Sequence, residues 1–218
     1  MRNIIKKKFK HGIFSYYEND EYIGKSLSEY GEWSEIEVVL LKQLLNGGLV
    51  YAIEPQSQNY KLLSENIKDN ELKNVKILKL AISSNQGEAY MNIFDENLRN
   101  NYGDSKIFKN NFENAEKVTV KTLDQLFHDD NKEKKSIKLI KCDAQGQELD
   151  IILGSKKIID IYKPFLYLEN DELNTSKTLI EKLKGMGYIM FWHLPPLYNP
   201  NNFLKNSKNI FPKIISCN

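Results

Sequence analysis

The stretch IKLIKCDAQGQELDIILGSKKII, residues 137–159, decides the fold class of this chain. Its first part predicts a buried strand that ends at Asp143, and its second part predicts a helix that begins at Glu148. Gly146 suits the turn between them, because glycine adopts backbone conformations that other residues resist. In alternating α/β chains, ligands bind at the carboxyl ends of the strands. Asp143 is therefore a candidate site residue.

Outward from this stretch, apolar strands alternate with amphipathic helices along the chain. Further strands are predicted at residues 49–53, 75–82, 87–94, 118–121, 165–168 and 188–192, and further helices at residues 34–45, 57–70 and 175–186. This rhythm predicts an α/β fold with a mostly parallel sheet and helices on both faces. Residues 95–116 are polar and rich in asparagine, so we expect a long loop there.

The first thirty residues follow a different pattern. Apolar residues alternate weakly on either side of the turn-like Glu18-Asn19-Asp20, which predicts a β-hairpin. We therefore expect an N-terminal hairpin or appendage over residues 1–30 and a single α/β domain over residues 31–218. A chain of 218 residues is long enough to bury a proper core.

Composition excludes several classes of function. A net charge of +2 does not favour nucleic acid as a partner. No apolar run approaches the roughly 18 residues that a membrane helix needs, and no secretory signal is evident, so we expect a cytoplasmic protein without a membrane partner. Cys142 and Cys217 form no disulfide framework, and the three histidines lack metal-ligand spacing, so no metal site is predicted.

Three predicted strands end at a carboxylate: Glu54, Asp143 and Glu169. In a parallel sheet these ends share one rim, where a carboxylate can accept the hydroxyl groups of a ribose. The alternative is that each carboxylate caps the following helix or binds a turn amide. Three carboxylates at one rim favour a binding site.

Six segments together resemble the FkbM family of S-adenosylmethionine-dependent methyltransferases. They are YGEWSE (30–35), YAIEPQSQNYKLLSENI (51–67), VKTLDQLF (120–127), IKLIKCDAQGQELDIILG (137–154), KPFLYLEN (163–170) and GYIMFWHLPPLYNPNNF (187–203). Each segment alone is modestly specific, whereas their order and spacing together are strong evidence for the resemblance.

The resemblance implies a seven-stranded Rossmann-like sheet, S-adenosylmethionine as cofactor, and O-methylation of a small-molecule or sugar hydroxyl. It places Glu54 with Pro55 at the ribose of the cofactor and Ala81-Ile82 near its adenine. It places Asp143 at the sulfonium and the acceptor.

His193 and Glu169 are the candidate bases. His193 could deprotonate the acceptor hydroxyl because histidine titrates near neutrality, or it could be a structural histidine bonded to a backbone carbonyl. Strand alternation places Cys142 in the core, facing away from Asp143.

The sequence departs from the family pattern at two places. Gln145 stands where the family usually has a glutamate, and an amide does not ionise. The glycine-rich cofactor loop, the first central strand and its helix are missing, because the predicted helix at 34–45 is followed almost directly by the strand at 49–53. Gly47-Gly48 is better suited to ending that helix than to holding a cofactor. We expect the strand at 49–53 to close the gap beside the Asp143 strand.

Two other functions stay open on the sequence alone. A catalytically inactive relative of the same fold would act as a binding module for a partner or a glycan, and the missing glycine loop favours it. The hypothesis of a nucleotide-binding transferase of unrelated chemistry rests only on fold analogy. The expected partner is in either case a small-molecule or glycan ligand, and the oligomeric state is open.

Overall fold

Strands and helices alternate along most of the chain in the computed structural model, which describes residues 4–45, 47–128 and 136–212. The strands within these residues are β1 (Ile4–Phe9), β2 (Gly12–Tyr17), β3 (Val50–Ile53), β4 (Val75–Leu78), β5 (Ala81–Ile82), β6 (Gly87–Asn92), β7 (Ile107–Phe108), β8 (Ala115–Lys121), β9 (Leu139–Cys142) and β10 (Phe165–Leu168). The helices there are α1 (Ile23–Tyr30), α2 (Glu35–Leu44), α3 (Ser57–Asp69), α4 (Leu123–His128), α5 (Glu148–Leu153), α6 (Lys156–Tyr162) and α7 (Leu173–Gly185).

The strands form four small sheets. β3 pairs with β4 and β9 pairs with β10, in both cases parallel, and β1 with β2 forms an antiparallel hairpin. The fourth sheet has the order β5-β8-β6-β7, in which only β5 and β8 are parallel. The predicted α/β class is therefore confirmed. The expectation of a mostly parallel sheet is wrong, because β6 returns antiparallel against β8 and β7.

The strand at 49–53 does not close the gap beside the Asp143 strand, so this expectation is also wrong. Among the described strands, β3 pairs with β4 alone, and β9 pairs with β10 alone. Helix α3 is the crossover that places β3 and β4 side by side, with all four residues of each strand in register. A cavity lined by residues of both strands separates β3 from β9.

The N-terminal hairpin turns earlier than predicted. β1 and β2 meet at Lys10-His11, and helix α1 follows where the second half of a hairpin was expected. Asp20 explains the difference, because its Oδ1 accepts hydrogen bonds from the backbone N–H groups of Tyr22 and Gly24. An aspartate in this position satisfies N–H groups that have no partner within the helix.

Two predicted strands differ in the structure. The strand at 75–82 is divided into β4 and β5, which belong to different sheets. Residues 188–192 form no strand, although Ile189 and Phe191 have strand-forming side chains, and these are 83% and 87% exposed. The side chains at the two ends of this segment are anchored: Tyr188 donates to the Pro164 carbonyl, and His193 contacts Tyr167.

The hairpin packs on α3 through two asparagines. Asn66 and Asn70 lie one helical turn apart, and each side chain both accepts from and donates to the backbone of β2, at Ser15 and Ile13 respectively. The i, i+4 spacing on the helix matches the i, i+2 spacing on the strand edge. The amide side chains thus take the place of a neighbouring strand.

A buried glutamate connects the beginning of the described chain to its end. Glu32 accepts hydrogen bonds from Lys10 Nζ at 3.1 Å, from Asn199 Nδ2 at 2.7 Å and from the Phe203 N–H at 3.1 Å.

The boundary at residue 30 between the N-terminal hairpin and the α/β domain stays a prediction. No described helix has the length and apolar character needed to span a bilayer.

The largest part of the core lies beneath the candidate site. Its buried members are Leu80, Ile82, Leu123, Cys142, Ile151 and Ile158. Cys142 points into this cluster, as strand alternation predicts, and burial raises the pKa of its thiol to about 12. The thiol therefore stays protonated at neutral pH and is not a nucleophile. Cys217 lies outside the described residues.

Candidate functional site

A cavity of about 1110 Å³ lies between β3 and β9. This volume is slightly above the range of about 300–1,000 Å³ that is usual for small-molecule sites. All five residues predicted to bind the cofactor line it: Glu54, Pro55, Ala81, Ile82 and Asp143. They come from the carboxyl ends of β3 and β9 and from β5, so three separate sequence segments converge on one space.

Glu54 follows β3 and is held at the start of α3. Its Oε1 accepts a hydrogen bond of 2.8 Å from the Gln56 N–H, as the capping alternative predicts for a turn amide. Burial, and to a smaller extent the negative charge of Glu116, raises the pKa of Glu54 to about 7. Near neutral pH this carboxyl is therefore divided between its protonated and ionised forms, and it sits at the cavity wall.

Asp143 and Glu169 lie side by side because β9 and β10 are parallel neighbours. The Glu169 N–H donates to the Cys142 carbonyl at 2.9 Å, which continues the ladder one residue beyond the strands. Gln145 Nε2 donates to Glu169 Oε2 at 3.2 Å and lies 3.5 Å from Asp143 Oδ1. Glu169 also hydrogen-bonds to Asp143. Two of the three predicted carboxylates thus form one cluster.

The two carboxyls hold one proton between them at neutral pH. Burial and the adjacent negative charge of Asp143 raise the pKa of Glu169 to about 8. Burial also acts to raise the pKa of Asp143, but the positive charge of Lys141 and hydrogen bonds from Glu169, Lys141 and Gln145 lower it overall. Like charges in contact cannot both ionise easily, so Asp143 carries the charge and Glu169 keeps the proton.

The turn that presents Asp143 is held by Glu148. Gln145 and Gly146 both have positive φ, at 52° and 92°. The buried carboxylate of Glu148 accepts a hydrogen bond of 2.8 Å from the Ala144 N–H, which closes the turn from the first residue of α5. Glycine adopts positive φ without cost, so the strain lies at Gln145, and such strain is commonly retained at functional sites.

Sequence reasoning missed Lys141, Glu37 and Tyr167. Lys141 Nζ lies 3.1 Å from Asp143 Oδ2 and 3.3 Å from Glu37 Oε1, and it lies 6.0 Å from the centre of the Tyr167 ring. The i, i+2 spacing of Lys141 and Asp143 on one strand could have indicated the ion pair, because these positions share a face. Glu37 lies on α2 and has no such local signal.

His193 and Glu169 do not line the cavity. His193 Nδ1 lies 2.9 Å from the Tyr167 hydroxyl. The predicted base thus belongs to a polar cluster, which comprises Glu37, Lys141, Asp143, Gln145, Tyr167, Glu169 and His193. Its partner is a side chain, whereas the structural alternative predicted a backbone carbonyl. Within the described residues, no group of three or more histidine, cysteine, aspartate or glutamate side chains is arranged to hold a metal ion.

The side chains present fit the adenosyl part of a nucleoside-containing ligand. Glu54 offers a carboxylate for ribose hydroxyls and Asp143 offers negative charge, whereas Ala81 and Ile82 line the cavity with only 2% and 7% of their surface exposed. Gly47 and Gly48 also line the cavity, but no atom lies within 4 Å of the Cβ position of either residue. They therefore form no tight backbone cradle in this structure.

Comparison with known protein families gives a match over most of the chain. The sequence model of the family described as methyltransferase FkbM domain matches residues 19–190, which is most of the chain. No curated protein and no solved structure matches it. The match spans every residue of the cavity wall and of the polar cluster except His193.

Proposed function

This chain belongs to the methyltransferase FkbM family, and from that premise we propose that it is an S-adenosylmethionine-dependent methyltransferase acting on a hydroxyl group of a small molecule or a sugar. One observation carries the proposal: Glu54, Ala81-Ile82 and Asp143, which are far apart in sequence, line the same cavity. The parallel pairs β3–β4 and β9–β10 support a Rossmann-like scaffold.

In this proposal the cavity wall binds the methyl donor at three points. Glu54 accepts hydrogen bonds from the ribose hydroxyls, Ala81 and Ile82 pack against the adenine, and Asp143 faces the cationic end. S-adenosylmethionine supplies an electrophilic methyl group on a sulfonium centre. The protein contributes mainly by holding the acceptor hydroxyl in position, because alignment alone lowers the barrier of such a transfer.

Because the Asp143–Glu169 pair holds one proton, the predicted catalytic residues have different roles in this proposal. Asp143 is the ionised member and lines the cavity, so it is the group that faces the cationic end of the donor. Glu169 is protonated at neutral pH and stabilises the charge of Asp143. His193 positions Tyr167, which lies beside Lys141.

Calorimetric titration with S-adenosylmethionine and S-adenosylhomocysteine tests this function. At pH 8, above the pKa of about 7 for Glu54, both ligands are expected to bind. Glu54→Ala should weaken binding about tenfold to a hundredfold, since a hydrogen bond to a charged group contributes about 1.5–3 kcal/mol. Glu181→Ala makes the same change on the exposed face of α7 and should leave affinity unchanged.

Two results would contradict the proposal. Equal affinity of Glu54→Ala and the unaltered protein would remove Glu54 from the site. An absence of binding, with the protein shown to be folded, would favour the inactive relative that acts as a binding module.

A further inference from the structure

One buried hydroxyl group at the cavity has no hydrogen-bond partner among the described residues. It belongs to Ser105, and its Oγ is the single buried side-chain nitrogen or oxygen atom in the described part of the chain for which this holds. A buried hydroxyl group without a partner is costly, because it has given up its hydrogen bonds to water. Such groups are rare in folded proteins, and each calls for an explanation. Ser105 lines the cavity, so a bound ligand is the candidate partner.

Ser105 belongs to a segment, residues 102–107, that borders the cavity. Three alternate residues of this segment line the cavity: Gly103, Ser105 and Ile107. A period of two residues is typical of extended chain, and strand β7 begins at the third of these residues. The segment therefore presents every second residue, with Ser105 in the middle, to the ligand space.

Tyr102 fixes the beginning of this segment close to Glu54. The Tyr102 ring is 3% exposed and stacks on Tyr17, with the ring centres 4.1 Å apart. Its carbonyl accepts a hydrogen bond of 2.9 Å from Asn59 Nδ2 in the first turn of α3. Gln56 continues this connection, because its side chain accepts from the Asn59 N–H and its own N–H donates to Glu54, both at 2.8 Å.

The next two residues after Ser105 fix the end of the segment. Ile107 packs against the core cluster that includes Ala81. Lys106 Nζ lies 2.7 Å from Glu172 Oε1, and Glu172 lies beside the turn that follows β9. Ser105 is therefore held between anchors that adjoin the residues proposed to bind a nucleoside.

The hydroxyl group can turn toward a ligand at little cost. Ser105 as a residue is half-buried and lines the cavity, although its Oγ atom is enclosed. A serine side chain has three staggered χ1 orientations, and here a change between them breaks no hydrogen bond to a described residue. A serine hydroxyl both donates and accepts, so it suits a ribose hydroxyl or a ring nitrogen of a base.

We propose that Ser105 is a ligand-binding residue whose hydroxyl group hydrogen-bonds to the adenosyl part of the methyl donor. The inference rests on the proposed function, because the adenosyl part is the group that Glu54 and Ala81 bind in that proposal. Ligand binding gives Ser105 Oγ the partner that it lacks among the described residues. The polar loop between β6 and β8 thus contributes directly to the site.

Calorimetric titration of Ser105→Ala with S-adenosylhomocysteine and 5′-methylthioadenosine tests the inference. The second ligand has the adenosyl group without the amino-acid part. We expect Ser105→Ala to weaken binding of both ligands by the same factor, about threefold to tenfold, because one neutral hydrogen bond is lost. Ser207→Ala makes the same change at an exposed position that does not line the cavity, and it should bind both ligands like the unaltered protein.

Thermal melting without ligand gives a second readout that separates ligand binding from a structural role. A serine that holds the fold through a hydrogen bond lowers the Tm when it is replaced by alanine. Ser105→Ala removes a buried hydroxyl group that bonds to none of the described residues, so its Tm should equal or exceed that of the unaltered protein. Weaker ligand binding without a loss of Tm is the expected combination.

Three results would overturn this inference alone: equal affinity of Ser105→Ala and the unaltered protein, weaker binding of S-adenosylhomocysteine only, or a lower Tm of the ligand-free variant. The second result would place Ser105 at the amino-acid part of the donor. Failure of the unaltered protein to bind either ligand would overturn the proposed function as well. The two failures are therefore distinguishable.

Discussion

At the scale of single residues, the site is defined by where one proton resides. Asp143 and Glu169 are adjacent carboxyls at the ends of neighbouring strands, and Gln145 donates to Glu169 Oε2 at 3.2 Å. Lys141 favours the ionised form of Asp143, so Glu169 holds the proton. Gln145 suits this arrangement because an ionised carboxylate in its place would add further repulsion.

The raised pKa of Glu169 predicts a pH dependence of stability. In the unfolded chain this carboxyl ionises near its ordinary pKa of 4.5, whereas in the folded protein its pKa is about 8. The folded state binds the extra proton between these values, so the stabilisation is fully present below pH 4.5 and is lost as the pH rises through 8. Glu169→Gln should therefore match the unaltered protein in Tm at pH 5 and exceed it at pH 8.5.

The amide in Glu169→Gln keeps the shape and the donor of the protonated acid. Thermal melts across this pH range measure the difference, and Glu181→Gln on the exposed face of α7 is the control. Parallel pH profiles for Glu169→Gln and the unaltered protein would show that Glu169 has an ordinary pKa.

The turn that presents Asp143 depends on the backbone conformation of Gly146. Its φ of 92° is unfavourable for a residue with a Cβ atom, and a Cβ there would lie 3.2 Å from Glu172 Cγ. Gly146→Ala should lower the free energy of unfolding by about 1–2 kcal/mol. Gly185→Ala, at the end of α7 with no atom near its Cβ position, should be neutral or stabilising. Urea denaturation measures both, and equal effects would argue against backbone strain at Gly146.

At the scale of elements, the N-terminal hairpin depends on side chains of a helix. Asn66 of α3 accepts from the Ser15 N–H at 2.6 Å and donates to the Ser15 carbonyl at 3.0 Å. Asn70 makes the same pair of bonds with Ile13. A helix thereby completes the edge of a two-stranded sheet, which alone would be marginally stable.

Asn66→Ala should destabilise the protein by about 1–3 kcal/mol, because both backbone groups of the buried Ser15 lose their partner. The local readout is hydrogen exchange at the Ser15 amide, which should become faster than in the unaltered protein. Asn85→Ala, at an exposed position beside Ser84, is the control. Unchanged exchange at Ser15 would mean that these bonds do not hold the strand.

Elements with a strong local pattern could be predicted from the sequence, and those set by distant contacts could not. Helices α2 and α3 and strands β3, β9 and β10 lie where apolar periodicity places them. Residues 188–192 have strand-forming side chains, but they pair with none of the described strands, and a strand needs such pairing as well as suitable side chains. Helix α1 was missed for a different reason: Glu18-Asn19-Asp20 predicts a hairpin turn, whereas Asp20 accepts local hydrogen bonds from the N–H groups of Tyr22 and Gly24 where α1 begins.

The same distinction between local pattern and distant contact applies to the residues of the candidate site. Glu54, Asp143 and Glu169 could be predicted because each follows an apolar strand. The pairing of Asp143 with Glu169, apart from Glu54, could not be predicted, because it depends on which strands become neighbours. The contact of Glu37 with Lys141 depends on how α2 packs beside β9. That is a tertiary relation with no signature in local spacing.

At the scale of the whole molecule, Glu32 joins parts of the chain that are far apart in sequence. Its side chain is almost fully buried and binds Lys10, Asn199 and the backbone of Phe203. Glu32→Ala should reduce the free energy of unfolding by about 3 kcal/mol, the lower end of the range for breaking a buried ion pair, because Lys10 is partly exposed.

Urea denaturation measures the loss at Glu32, and limited proteolysis should show faster cleavage within residues 196–212. Glu29→Ala is the matched control, since Glu29 is exposed and contacts Asn206. Equal stability of the two variants would show that the buried carboxylate does not hold these segments together.

The buried contacts of Tyr30 can form only late during synthesis on the ribosome. Its ring is fully buried, its hydroxyl donates to the Lys208 carbonyl, and the same hydroxyl accepts from the Ile210 N–H, 180 residues later in the chain. At about 5–20 residues per second, translation separates these partners by roughly 9–36 s. During that interval the nascent chain presents Tyr30 at the end of α1 without its cover, which makes this residue the expected contact for a chaperone.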